Sequence, residues 1–139
     1  MDRKSISWIL KFTSRLPNDE EKVKCLQQND NYGIKTILRY AFDPNIEWLL
    51  PEGDVPYTPC EYPHQEAMLY QEARRLYLFV KGGNDNLNQL RRETMFVELL
   101  ENIDPEDAKL LAAIKDKKMP EGYEGLEEKH VKKAFPDLY

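Results

Sequence analysis

The chain has 139 residues, 41% hydrophobic and 32% charged, with a net charge of −5. That length fits a single domain with one modest core, and the acidic balance argues against bulk attraction to nucleic acid or to an anionic membrane. The two cysteines, Cys25 and Cys60, show neither C-x-x-C spacing nor a histidine nearby in a metal pattern, so they read as free thiols.

The opening M-D-R-K-S-I-S-W-I-L has a basic start, but charge returns at Lys11, too soon for a secretory signal. No window approaches the ~20 apolar residues of a spanning helix, which predicts a soluble, intracellular protein with no membrane partner. Ile6, Ile9, Leu10, Thr13 and Leu16 share one helical face, broadened by Trp8 and Phe12. Pro17-Asn18 ends this helix and starts the next, with Asn18 as cap and Glu21 closing a capping box. Val23, Cys25 and Leu26 continue the apolar pattern, with Cys25 on a buried face. After the turn-prone N-D-N-Y-G run, a third helix is predicted over about 32–42, carrying Ile34, Ile37, Leu38 and Ala41.

Asp43-Pro44 pairs a cap with a proline at the first helical position, predicting a short turn of helix through Trp48 and Leu49. The stretch W-L-L-P-E-G-D-V-P-Y-T-P-C-E-Y-P follows, irregular over about 51–63 yet rich in large apolar and aromatic residues. Proline already restricts such a chain, so ordering it costs little entropy. Burying each large side chain is worth roughly 1.5–3 kcal/mol. The segment is therefore expected to lie as a belt across the helices, with Trp48, Leu49 and Leu50 in the core and Tyr57 and Tyr62 exposed. An edge hairpin over 55–62 is the weaker alternative.

From His64 to Val80 the residues Ala67, Met68, Tyr70, Leu76, Tyr77, Phe79 and Val80 predict one long amphipathic helix, Arg74 and Arg75 outward, ended by Lys81-Gly82-Gly83-Asn84. Leu87, Leu90, Thr94, Met95, Val97, Leu99 and Leu100 form the next helix. Asp104-Pro105-Glu106-Asp107 then reads as a helix start, a cap and an N1 proline followed by acids that the helix dipole favours. Leu110, Leu111 and Ile114 carry that helix toward Lys118, and a short last one holds Leu126, Val131, Ala134 and Phe135 against the core, with a Glu128–Lys132 pair on its exposed face. The fold class is thus all-α, a single compact domain over 1–139 of about six or seven short helices crossed by an irregular Pro/aromatic-rich segment.

Residues with chemistry are few. His64 and His130 belong to no H-x-x-x-H or H-E-x-x-H pattern, so no metal and no cofactor is expected. His64 is read as an exposed cap and His130 as a residue on the polar side of the last helix. Ser5, Ser7 and Ser14 lack a nucleophile motif and read as exposed or capping residues. Cys60 and His64, four apart, are the one thiol–imidazole arrangement, and the plainer reading is a packed cysteine beside an exposed histidine. The carboxylates start helices rather than forming an acid–base pair, so no catalytic residue is assigned. In F-V-K-G-G-N-D-N-L the glycines suggest either a phosphate-cradling loop or, more simply, a helix cap and turn. Arg74, Arg75, Lys81, Arg91 and Arg92 flank that turn, and a helical hairpin would gather them to dock phosphate or an acidic partner. The bland alternative is a set of solvated ion pairs with Glu72, Asp85 and Glu93.

Read together, F-D-P-N-I-E-W-L-L-P-E-G-D-V-P-Y-T-P, L-Y-L-F-V-K-G-G, R-R-E-T-M-F-V-E-L-L-E-N-I-D-P-E-D-A and V-K-K-A-F-P resemble a family of short proteins of unassigned function encoded by large contractile-tailed phages, notably those of marine cyanobacteria. The likeness runs from about Phe42 to Tyr139, while the first forty residues share only a helical pattern. It implies a protein of the host bacterial cytoplasm or a minor component of the virion, and it brings no catalytic residue with it. The expected function is a non-enzymatic interaction protein that binds a host or phage assembly, with a protein partner at Tyr57, Tyr62 and the five cations. The alternative is nucleic-acid binding by the Arg/Lys cluster.

Overall fold

The computed structural model describes residues 3–139, leaving Met1 and Asp2 of the basic start outside the described residues. Seven α-helices follow in order: α1 (Ile6–Ser14), α2 (Asp19–Gln28), α3 (Tyr32–Phe42), α4 (Met68–Glu72), α5 (Gln89–Asn102), α6 (Pro105–Ile114) and α7 (Glu128–Ala134). A 3₁₀ helix (Ala73–Phe79) continues directly from α4. Local chemistry sets most of the starts. The side chains of Ser5, Asn18, Asn31, Asn88 and Asp104 each accept from a backbone N–H in the first turn of the helix that follows. The buried faces of α1, α3, α5 and α6 meet around Ile6, Leu10, Ile37, Leu76, Phe96, Leu100 and Leu110, all essentially inaccessible to water.

Trp8 and Phe12 do not broaden the buried face. They stack on each other on the outer side of α1, ring centroids 5.2 Å apart and each 47% exposed. Leu10, on the inner side of the same helix, is fully buried. Trp8→Ala is therefore expected to cost about 1 kcal/mol, the worth of an exposed aromatic pair, against about 3 kcal/mol for Leu10→Ala. Urea unfolding of the two variants measures the contrast, and equal losses would mean that the α1 aromatics are core residues after all. Leu90, part of the expected α5 stripe, is likewise exposed.

Two predicted helices take other forms. Asp43-Pro44 opens a turn rather than a helix, with Asp43 Oδ1 accepting from the Asn45 N–H. The chain then runs extended, and Trp48 forms an isolated antiparallel bridge with Val80 through Leu49 N–H to Phe79 O and Lys81 N–H to Glu47 O, both 2.8 Å. The predicted helix over 64–80 starts only at Met68 and tightens to 3₁₀ after one turn. No side chain caps α4, and His64 lies outside it with φ +64°, so His64 is exposed but is not the cap. The far end is pulled away from helical pairing because the carbonyl of Phe79 is used by residue 49.

The proline-rich segment lies as a belt without a hairpin, but Leu49, expected in the core, is not among the residues packed on it. Trp48, Leu50, Val55 and Tyr57 pack on the core as half-buried residues, and Trp48 sits edge-on to Tyr40 and Phe96. Its backbone cannot pair with itself, so its polar groups need partners elsewhere. Buried Lys115, at the end of α6, donates to Pro51 O (2.8 Å) and Gly53 O (3.0 Å). Asp116 accepts from Gly53 N–H, Glu101 from Thr58 N–H, and Gln89 donates to Leu49 O. The segment is held by side chains of α5, α6 and the turn after α6, not by a ladder.

Candidate functional site

Strapping the proline-rich segment beside α4, the 3₁₀ helix and α5 leaves a groove between them of about 370 Å³. Phe79 and Leu99 form its buried base, with half-buried Met68 and Met95 above them. Tyr62 stands on the strap side, 77% exposed. Arg75 and Arg91 line the remaining rim with Glu72 and Glu98. Arg75 reaches Glu72 at 3.5 Å, one helical turn away. Arg91 and Glu98 have no ion-pair partner among the described residues.

Of the seven residues expected at a partner surface, the groove brings together Tyr62, Arg75 and Arg91. Arg74 is exposed outside it, and Lys81 pairs with Glu47 at 3.7 Å beside the Trp48–Val80 bridge. Tyr57 is not exposed. It packs half-buried by α6, near Lys109 and Met119, and burial raises its phenol above the usual value. Arg92 is the clearest correction, being only 3% exposed. Its Nε donates to Leu78 O (3.0 Å), its Nη2 to Asn84 O (2.9 Å) and its Nη1 to Gln89 Oε1, so the guanidinium clips the 78–89 turn to α5. The glycines of that turn answer to geometry. Gly82 has φ +91°, and a Cβ on Gly83 would lie 1.9 Å from the Tyr77 carbonyl. The Gly82 N–H is taken by Asp85 Oδ1 at 2.7 Å, an acid where a phosphate cradle needs an open donor.

Other sequence readings change as well. Cys60 Sγ turns toward Tyr62 O (3.9 Å), and no hydrogen bond joins it to His64 among the described residues. Cys25 is half-buried, its Sγ 3.1 Å from Thr13 Oγ1. Ser5, Ser7 and Ser14 are buried rather than exposed, and of the three Ser5 keeps the capping role, at the start of α1. His130 faces inward, 1% exposed. Its Nδ1 must accept, because the partner is the Glu127 N–H at 3.0 Å, so Nε2 carries the proton and donates to Asp19 Oδ1 at 2.8 Å, locking α7 onto α2. That bond holds the Asp19 carboxyl below its usual range. Glu128 accepts from the Tyr139 hydroxyl and forms no ion pair with Lys132.

Asp107, read only as a dipole-favoured acid of a first turn, is wholly buried. Its Oδ1 accepts from Ser7 N–H at 2.8 Å, and its Oδ2 has no partner. Burial pushes this carboxyl up from 3.8 to about 6, against the hydrogen bonds from Ser7. Groove residues missed from sequence include Glu98, Met95, Met68 and Phe79. One signal was present: Arg91, Met95 and Glu98 recur at the i, i+4, i+7 spacing of a single helical stripe.

Among the described residues, no three or more of His, Cys, Asp and Glu stand close enough to hold a metal ion, and no helix is long and apolar enough to cross a membrane. Residues 9–121 match DUF6433, a family of unknown function, and the chain belongs to that family. The match takes in most of α1 and all of α2 and α3, beyond the stretch that carried the phage resemblance, and stops before α7. Neither the curated proteins nor the solved structures gave a match.

Proposed function

We propose that this DUF6433 protein is a non-enzymatic interaction module that docks a segment of a protein partner in the Tyr62–Arg75–Arg91 groove. The observation that carries the reading is the combination of an exposed tyrosine with methionines and arginines around one cavity. Aromatic and arginine side chains dominate binding energy at protein interfaces, and methionine gives a surface that adapts to its ligand. The resemblance to phage-encoded proteins would make the partner a host or phage assembly that the module bridges or alters, in the bacterial cytoplasm or in the particle.

A nucleic-acid role is weakened on two counts: Arg92 is spent on internal carbonyls, and Glu72 and Glu98 share the groove rim with the arginines. The test is recovery of a tagged chain from phage-infected cells, with and without nuclease, beside Tyr62→Ala and Arg91→Glu. Both residues are exposed, so stability should change by no more than about 0.5 kcal/mol. A stoichiometric protein that survives nuclease and is lost from both variants supports the reading. Retention by both variants sinks it, and nuclease-sensitive recovery moves the function to nucleic acid.

A further inference from the structure

The groove rim carries two arginines and two glutamates, so it offers no surplus charge of either sign. The charges are not equivalent, however. Glu72 and Arg75 satisfy each other across one turn at 3.5 Å. Arg91 and Glu98 stand on the same stripe of α5, two turns apart, which at 1.5 Å per residue separates them by roughly 10 Å. No ion pair joins their side chains, and no other described residue pairs with either. Met95 lies between them, above the buried Phe79 and Leu99. The groove is thus polarised along its length, with a cation at one end, an apolar hollow in the middle and an anion at the other.

We infer that the occupant of the groove is a peptide segment in which an acidic and a basic side chain, about 10 Å apart, flank one large apolar side chain. The acid meets Arg91, the apolar group enters over Met95 and Met68, and the base meets Glu98. The inference rests on the docking role proposed above and adds the chemistry of the partner. A phosphate backbone is disfavoured because it would bring charge of one sign past Glu98 and Glu72. A purely apolar segment would leave Arg91 and Glu98 without partners on closing, and desolvating unpaired charge opposes binding. Tyr62, on the strap, supplies the side wall against the apolar group.

A displayed library of random twelve-residue peptides tests this with defined probes. Peptides held by the wild-type protein but not by Met95→Arg are kept. Gln65→Trp serves as a second blocking variant if Met95→Arg does not unfold cooperatively. The selected peptides should carry an acid and a base on either side of a large apolar residue. For single clones, exchanging the acid for lysine should weaken binding to wild type at least tenfold, and Arg91→Glu should restore part of that loss, the mark of direct coupling. Exchanging the base for glutamate should be rescued in the same way by Glu98→Lys. Groove-dependent peptides without this pattern, or without coupling to Arg91 and Glu98, overturn the inference and leave the docking role standing. A selection in which every binder also binds both blocking variants overturns the inference and the docking role together.

Discussion

Replacing Arg92 with methionine is expected to destabilise the protein by about 3 kcal/mol, more than any other substitution among the five cations near the Gly82-Gly83 turn. Methionine fills most of the buried volume, so the loss isolates the guanidinium. Three donors go to Leu78 O, Asn84 O and Gln89 Oε1. Hydrogen bonds that involve a charged group contribute roughly 1.5–3 kcal/mol each, and removing the desolvation cost of the buried guanidinium while methionine fills its site offsets part of their sum. Arg92→Lys should recover only part of the loss, because an ammonium is a single point and cannot span carbonyls on two sides of a turn. Arg74→Ala and Arg91→Ala, on exposed side chains, should stay within about 0.5 kcal/mol. Urea unfolding of the four variants orders them. Arg92→Met as stable as Arg91→Ala would show that the turn is held without the clip.

Asp107 should make stability fall as pH rises from about 4 to about 6. Its carboxyl titrates near 6 in the folded chain and near 3.8 when solvated. The folded state therefore holds the proton more tightly, and the stability this confers is complete below 3.8 and lost above 6. The difference corresponds to roughly 3 kcal/mol. Burial is the main cause, and Asp104 and Glu106 on the same helix turn add like charge. Asp19 acts in the opposite direction but lower down, since its lowered carboxyl loses stability only as pH falls below the ordinary value. The two windows do not overlap. Asp107→Asn keeps an acceptor for the Ser7 N–H without the charge, so unfolding midpoints of the variant minus those of wild type should grow from pH 4 to pH 7. A difference that stays flat across that range would mean that Oδ2 finds a partner when ionised.

The first result concerns a residue that sequence reading placed at a docking surface, and the second one that it read only as a helix-start acid. The same reading placed the helices well where the cue was local. Asn18, and Asp104 with Pro105, mark their helix starts as expected, and α3 spans the predicted residues. The belt was legible from its composition, because proline with Trp48, Leu50 and Val55 makes sense only if the apolar groups are covered. The long helix over 64–80 was not. Its apolar spacing is helical, but no cap holds its start, and the Trp48–Val80 bridge and the Arg92 clip claim carbonyls at its end. In the candidate site, Tyr62, Arg75 and Arg91 were legible as exposed aromatic and cationic residues, whereas Tyr57 and Arg92 were not separable from them by residue type.

By itself the sequence determined the helical class, most helix starts and the apolar positions of the core, because caps and the 3.6-residue period act within about four residues. Only the tertiary structure decided which charged and polar groups are internal. His130 meets Asp19 from 111 residues away, Asp107 meets Ser7 from 100, and Lys115 reaches Pro51 from 64. A buried charge is tolerable only when its partners arrive with it, and which distant backbone carbonyl or carboxylate arrives is set by how the helices pack.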